Sequence, residues 1–274
     1  AEVAGFGLAG VLVQALGAPL AVLVDAASFV LSALALGLIR TPEPAAARDT
    51  PAAGEDPASA WHELLEGLRL IRHEPTLRAL VAATAVDVLF IHLFVATLTL
   101  FLTRELGLGP AIQGGIFAVG GISAFAGALL AERLARRWGL GRSLLGSFLV
   151  YRLATYFIPL AVGPTPVVVG VITTSQLTDA AATVQQISQT SLIQTITPER
   201  LLGRFYASLR TVEQLAIFVG LLIGGALGEW LGLRPTLLIG ITGSLLAVPL
   251  FLLAPAVRTG APARLAPDGR GAGE

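Results

Sequence analysis

Long apolar runs separated by short charged segments set the reading of this chain. Residues 20–39 are apolar apart from Asp25, Ser28 and Ser32, and six more runs follow at about 79–102, 111–131, 143–162, 164–194, 205–231 and 235–256. Each reaches the roughly 20 residues that carry a helix across a bilayer core. The runs are continuous and rich in Leu, Ala and Gly, without the ten-residue alternation of a membrane β-strand. Ahead of them, residues 3–16 read as the end of another span, turned by Gly17, Ala18 and Pro19. The pattern predicts an all-α membrane protein with about eight transmembrane helices present.

One run does not fit a lipid-facing helix. Residues 173–194 read TTSQLTDAAATVQQISQTSLIQ, and fourteen of these twenty-two side chains are polar. Gln176, Asp179, Thr183, Gln186 and Thr190 recur at spacings of three and four, which is one helix face, with Thr178 and Gln189 beside it. Hydrogen bonds between membrane helices are worth only about 0.6–2 kcal/mol each and explain two or three such residues. The remainder predict a helix that lines a water-filled path.

The segments between runs fix an orientation. Residues 40–56, rich in Pro, Ala and charge, read as a flexible linker, followed by an amphipathic helix. Asp56 is its N-cap and Pro57 its first position. Trp61, Leu64, Leu65, Leu68 and Ile71 share one face, and Pro75 ends it. That helix could lie on the membrane surface or pack on the protein's own cytoplasmic face. Arginines from residue 40 onward, loop by loop, number five, one, four, none, three, one and three, with Arg152 alone inside a span. This alternation matches the positive-inside rule for six spans and predicts a cytoplasmic linker and C-terminus. The tail from Val257 is rich in Pro, Gly and Arg and is predicted disordered.

Composition narrows the chemistry. Charged residues make up 13 % of the chain, net charge is zero, and Cys, Met and Lys are absent. There is no disulfide framework, thiol nucleophile or thiolate metal site, and three scattered His give no ligand spacing. With no paired catalytic motif either, an enzyme within the membrane has no support. Nucleic acid is not an expected partner, because the densest Arg cluster is a short loop between spans. A chain that starts at Ala1 without Met reads as one whose beginning is missing.

Shifted by 215 residues, two segments align without gaps. Gly10, Leu12, Leu16, Gly17 and Leu23 match Gly225, Leu227, Leu231, Gly232 and Leu238, and Gln14 answers Glu229. Chance similarity of two Gly/Leu-rich hairpins and a parallel repeat of two similar halves both account for it. The second reading puts about four helices ahead of residue 1.

The local text resembles the major facilitator superfamily, and within it the bacterial efflux branch that includes macrolide and enterobactin exporters. The resemblance rests on Leu23–Phe29 (LVDAASF), on TPERLLGRFYASLR from Thr197 to Arg210, and on GEWLGLR from Gly228 to Arg234. A charged cytoplasmic motif is similar at Gly127, Glu132, Arg133, Arg136, Arg137, Gly139 and Arg142. The family's antiporter motif is matched only at Gly5, Phe6, Gly7, Leu8, Ala9 and Gly10, with Phe in place of its Pro. The resemblance implies that residues 1–40 end an N-terminal half, 41–78 link the halves, 79–256 form a six-helix C-terminal half, and 257–274 are a cytoplasmic tail. It implies a secondary transporter in the cell (inner) membrane, monomeric when full length, working by alternating access. A proton is the expected coupling ion and a small amphiphilic or hydrophobic molecule the cargo. No cofactor is expected. An importer, an uncoupled facilitator or a non-transporting remnant are the other readings.

Charged groups inside spans normally face a cavity or a partner. Asp25, Asp87, His92, Arg152, Asp179, Glu213 and Gln214 are the further candidates. Arg152 is too deep to reach water easily, so an acidic partner is expected among Asp87, Asp179 and Glu213. Glu213 stands three residues after Arg210 and can pair with it on its own helix. His92 is expected to make a helix–helix hydrogen bond. The pathway set is therefore Asp87, Arg152, Gln176, Asp179, Thr183, Gln186, Gln189, Thr190, Glu213 and Gln214.

Overall fold

The computed structural model describes residues 12–38, 69 and 71–259. The linker, most of the amphipathic helix, the tail beyond Thr259 and the motif at Gly5 to Gly10 lie outside the described residues. Among those described, seven helices are long and apolar enough to cross a membrane. They are α1 (Ala18–Gly37), α2 (Pro75–Glu105), α3 (Pro110–Trp138), α4 (Leu140–Leu160), α5 (Thr165–Ile196), α6 (Glu199–Trp230) and α7 (Leu233–Leu253). A short α8, Pro255–Thr259, follows. The six spans expected after the linker are all present.

Prolines account for two of the interruptions. A proline lacks an N–H and its ring crowds the carbonyl four residues back. Pro159 and Pro249 stand in that relation to Thr155 and Leu245, and α4 breaks at Tyr156 while α7 breaks at Leu245 and Leu246. At the far end of α2 the helix widens into a π-turn over Phe101–Glu105, with Leu106 N–H bonded to the Phe101 carbonyl. Arg234 lies over the Phe101 ring and 3.6 Å from Glu105, joining the start of α7 to the end of α2.

The six spans from α2 to α7 pack as two three-helix groups. In one, α2 lies against α6 and α7; in the other, α5 lies against α3 and α4. The first group closes through glycine. A Cβ at Gly220 or Gly224 of α6 would collide with the Leu89 or Leu93 carbonyl of α2, and one at Gly240 of α7 with that of Phe90. Small residues let membrane helices approach this closely, which substitutes for the hydrophobic drive that lipid removes. In the second group Gly127 of α3 does the same against the Ala180 backbone of α5, which explains the glycine of the charged motif.

At the Arg-rich end of the bundle a buried apolar cluster includes Leu80, Phe148, Leu192, Phe205 and Phe251. Ile71, the last apolar residue of the amphipathic pattern, is buried in it. That end of the helix therefore packs on protein. Helix α1, by contrast, has no buried residue. It is preceded by Gly17 at φ 79, ψ 159, and α7 by Gly232 at φ 91, ψ 165. The two hairpins aligned by the repeat thus turn through the same left-handed glycine, a conformation that side chains with a Cβ rarely adopt. Just before that turn, Gln14 Oε1 accepts the Ala111 N–H at 3.0 Å.

Candidate functional site

Between the two groups of helices, in the half of the bundle nearer the Arg-rich end, lies a cavity of about 430 Å³. Helix α5 supplies Gln185, Gln186, Gln189, Thr190 and Ile193 to its wall, and α2 supplies Thr84, Asp87 and Val88. From α6 come Tyr206, Leu209, Arg210 and Glu213, and from α7 Phe251. The wall therefore mixes amides, hydroxyls and carboxylates with an aliphatic and aromatic side.

Two cross-links span the helix groups at this wall. Arg152 of α4 donates from Nε to Asp87 Oδ1 at 2.9 Å and from Nη2 to Oδ2 at 2.7 Å. Both residues are buried, and the guanidinium lies 5.3 Å from the Phe148 ring centroid and 4.9 Å from that of Tyr151. Its Nη1 has no hydrogen-bond partner among the described residues. Arg152 thus finds the acidic partner its depth demands, and of the three candidates the partner is Asp87. The fork-to-fork geometry fixes the carboxylate more firmly than a point charge would. The second link is Gln189 Nε2, which donates to Thr84 Oγ1 at 2.8 Å.

Glu213 pairs with Arg210 at 3.3 Å on its own helix, and the Arg210 side chain is 72 % exposed. This bond is a loose one beside the pair at Asp87. Each carboxylate of the cavity is still matched by an arginine, Glu213 by Arg210 on the wall and Asp87 by Arg152 behind it.

The polar face of α5 is divided by a break. The helix runs Thr165–Gln176 and resumes at Asp179–Ile196. No proline causes this interruption. Side-chain hydroxyls take over backbone acceptors instead: Ser175 Oγ donates to the Ile172 carbonyl at 2.7 Å and Thr178 Oγ1 to that of Ser175 at 2.6 Å. From α3, Ser123 Oγ donates to the Leu177 carbonyl and accepts the Ala180 N–H at 3.0 Å. One hydroxyl thus satisfies both sides of the break, as irregular backbone at membrane depth requires.

Of the pathway residues expected from sequence, Asp87, Gln186, Gln189, Thr190 and Glu213 meet at the cavity. Arg152 acts there through Asp87. Gln176, Asp179 and Thr183 gather at the break instead: Gln176 Nε2 lies 3.4 Å from Asp179 Oδ2, and Thr183 Oγ1 donates to the Asp179 carbonyl at 3.1 Å. Gln214 is exposed and does not line the cavity. Asp25 lies on the exposed α1, where its carbonyl accepts Ser28 Oγ at 2.7 Å. His92 bonds within its own helix, Nδ1 to the Val88 carbonyl at 2.8 Å, in place of the bond between helices expected for it. In the charged motif, Glu132 pairs with Arg136 at 3.1 Å one turn along α3, and Arg133, Arg137 and Arg142 are exposed.

Thr84, Gln185, Tyr206 and Phe251 also line the cavity, outside the expected set. Thr84 precedes Asp87 by three residues, Gln185 precedes Gln189 by four, and Tyr206 precedes Arg210 by four. These helical spacings carried the signal for three of them. Phe251 is not separable from its apolar surroundings by sequence.

Among the described residues, seven membrane-length helices and a cavity of mixed polarity between them define a multi-pass membrane protein. Residues 1–221 match the model of the Major Facilitator Superfamily, and the chain belongs to that family. It is also 27 % identical over 248 residues to the "Uncharacterized MFS-type transporter YfiS" of Bacillus subtilis (strain 168), covering 87 % of this chain and 56 % of that protein. The chain therefore spans little more than half the length of this relative.

Proposed function

We propose that the protein is a non-enzymatic secondary transporter that exports small amphiphilic or hydrophobic molecules by alternating access, driven by protons. The Arg-rich end faces the cytoplasm of the cell (inner) membrane, and residues 79–256 act as the C-terminal half of the carrier. The observation that carries this reading is the charge-balanced cavity. Amides and hydroxyls on α5 and α2 offer hydrogen bonds, while Val88, Leu209 and Phe251 offer an apolar surface. A cavity of that kind holds a solute by shape and a few polar contacts and releases it again. Family membership and the transporter relative support the carrier role. Export is the direction implied by the resemblance of the Thr197–Arg210 and Gly228–Arg234 segments to efflux proteins.

The test uses the full-length protein expressed in cells loaded with ethidium. Efflux should require the proton gradient and should fail when Asp87→Asn, Asp179→Asn or Glu213→Gln removes the carrier carboxylate. Gradient-driven efflux that survives all three replacements refutes proton coupling through these groups. Uptake in place of efflux refutes the direction.

A further inference from the structure

Asp87, Asp179 and Glu213 are the carboxylates placed at the cavity and at the break of α5, and the structure gives each a different set of neighbours. Asp87 is held at both oxygens by Arg152. Glu213 has the loosely bound Arg210. Asp179 has neither. Its Oδ2 receives only the long Gln176 amide contact, and among the described residues no arginine or histidine pairs with it. It also lies near the middle of the α5 span, roughly 20–25 Å from either end at helical rise.

The helices packed against α5 at this level are α3 and α4. The α3 face is backbone: a Cβ added at Gly120 would run into Asp179 Oδ2 and the Gln176 amide. On α4 the titratable group within electrostatic reach is Tyr151. The neighbouring Arg152 is committed to Asp87 and to the rings of Phe148 and Tyr151. On α5 itself the adjacent polar groups are Gln176, Thr178 and Thr183, all neutral. An ionised carboxylate at membrane depth without a cation sheds its charge by taking a proton.

We propose that Asp179 is the proton-binding carboxylate of the transport cycle, with Asp87 held at both oxygens by Arg152 and Glu213 paired with Arg210. This assignment rests on the proton-coupled reading above and selects one residue from its three candidates. In the step, one Asp179 oxygen takes a proton from hydronium, leaving water and a neutral carboxyl. The proton returns to water when the site faces the other side. Gln176 serves both forms, since its amide donates to the carboxylate and its carbonyl oxygen accepts from the carboxyl. The charge change falls one residue from the break in α5, the point where that helix is least bound to itself.

The experiment is an infrared titration of the full-length protein in lipid, following the C=O stretch of protonated carboxyl groups from acid to alkaline pH without substrate. The difference between wild type and Asp179→Asn should isolate one titrating carboxyl band, and that band should persist in Asp87→Asn and Glu213→Gln. Asp179→Glu should retain a band at shifted frequency. Gly120→Ala, which crowds the carboxyl, should move the titration midpoint, and this variant decides the matter if Asp179→Asn fails to fold. A band unchanged in Asp179→Asn, a midpoint unmoved in Gly120→Ala, or a band lost instead with Glu213→Gln overturns the assignment. The readout needs no cargo, so gradient-independent ethidium efflux beside an intact Asp179 band overturns the coupled-export reading and with it the transport role, leaving Asp179 only as a titrating carboxyl. Loss of the band's assignment to Asp179 overturns the residue choice alone.

Discussion

Removing either member of the Asp87–Arg152 pair should destabilise the bundle unequally. The two hydrogen bonds are 2.9 and 2.7 Å long, and the side chains are 5 % and 10 % exposed. Breaking a buried pair from one side costs about 3–5 kcal/mol, because the other charge is left behind. The two sides differ in how they can respond. Arginine does not give up its proton in a protein, so Asp87→Leu leaves an obligatory buried cation and should show that full cost. Arg152→Met leaves a carboxylate that can bind a proton, and the loss should fall to about 1–3 kcal/mol, the cost of an unpaired buried polar group. The double variant Asp87→Leu/Arg152→Met removes both charges, and such apolar replacements are often close to neutral. It should therefore be more stable than Asp87→Leu alone. Equilibrium unfolding of the four proteins in mixed micelles measures all three differences. Single losses that add to the double within about 0.5 kcal/mol would mean the residues are energetically independent, and the reasoning fails.

Ser123→Ala strips both partners from the break in α5 and should cost about 1–3 kcal/mol, seen in thermal unfolding and as faster amide exchange at Ala180. Gly224→Val pushes α6 away from the Leu93 backbone and should cost about 1–3 kcal/mol by overpacking; an unchanged melting temperature would show that the helices separate freely there. Arg210→Gln should change stability by less than about 0.5 kcal/mol, because the Arg210 side chain is 72 % exposed. A loss several times larger in the same unfolding assay would give that pair a structural role.

Much of the architecture was legible because bilayer thickness is a hard constraint: runs of membrane length became helices α1 to α7. The breaks near Pro159 and Pro249 are equally readable, since proline acts on a fixed carbonyl. The break at Leu177 and Thr178 is not. It depends on Ser123, some fifty residues away in sequence, and on hydroxyls that in most helices simply bond back without interrupting them. That break is also why the single polar face read along α5 divides, with Gln186, Gln189 and Thr190 at the cavity and Gln176 and Asp179 at the break. Gln214 fails for a simpler reason. It neighbours Glu213 in sequence but lies about 100° round the helix, on the exposed side. The partner of Arg152 needed three dimensions, because depth says only that an acid must exist and not on which helix.

The two groups of three helices meet along a line where backbone approach is less intimate than within either group. Along the cavity that line is fastened by Asp87 with Arg152 and by Thr84 with Gln189. Both fasteners present polar atoms to the same hollow a guest would occupy. A guest that claims the Gln189 amide or an Asp87 oxygen for itself undoes a rivet as it arrives. If the cavity takes a guest as proposed, occupancy and compliance become one variable, with the bundle stiffest when empty and able to yield along a defined seam once loaded.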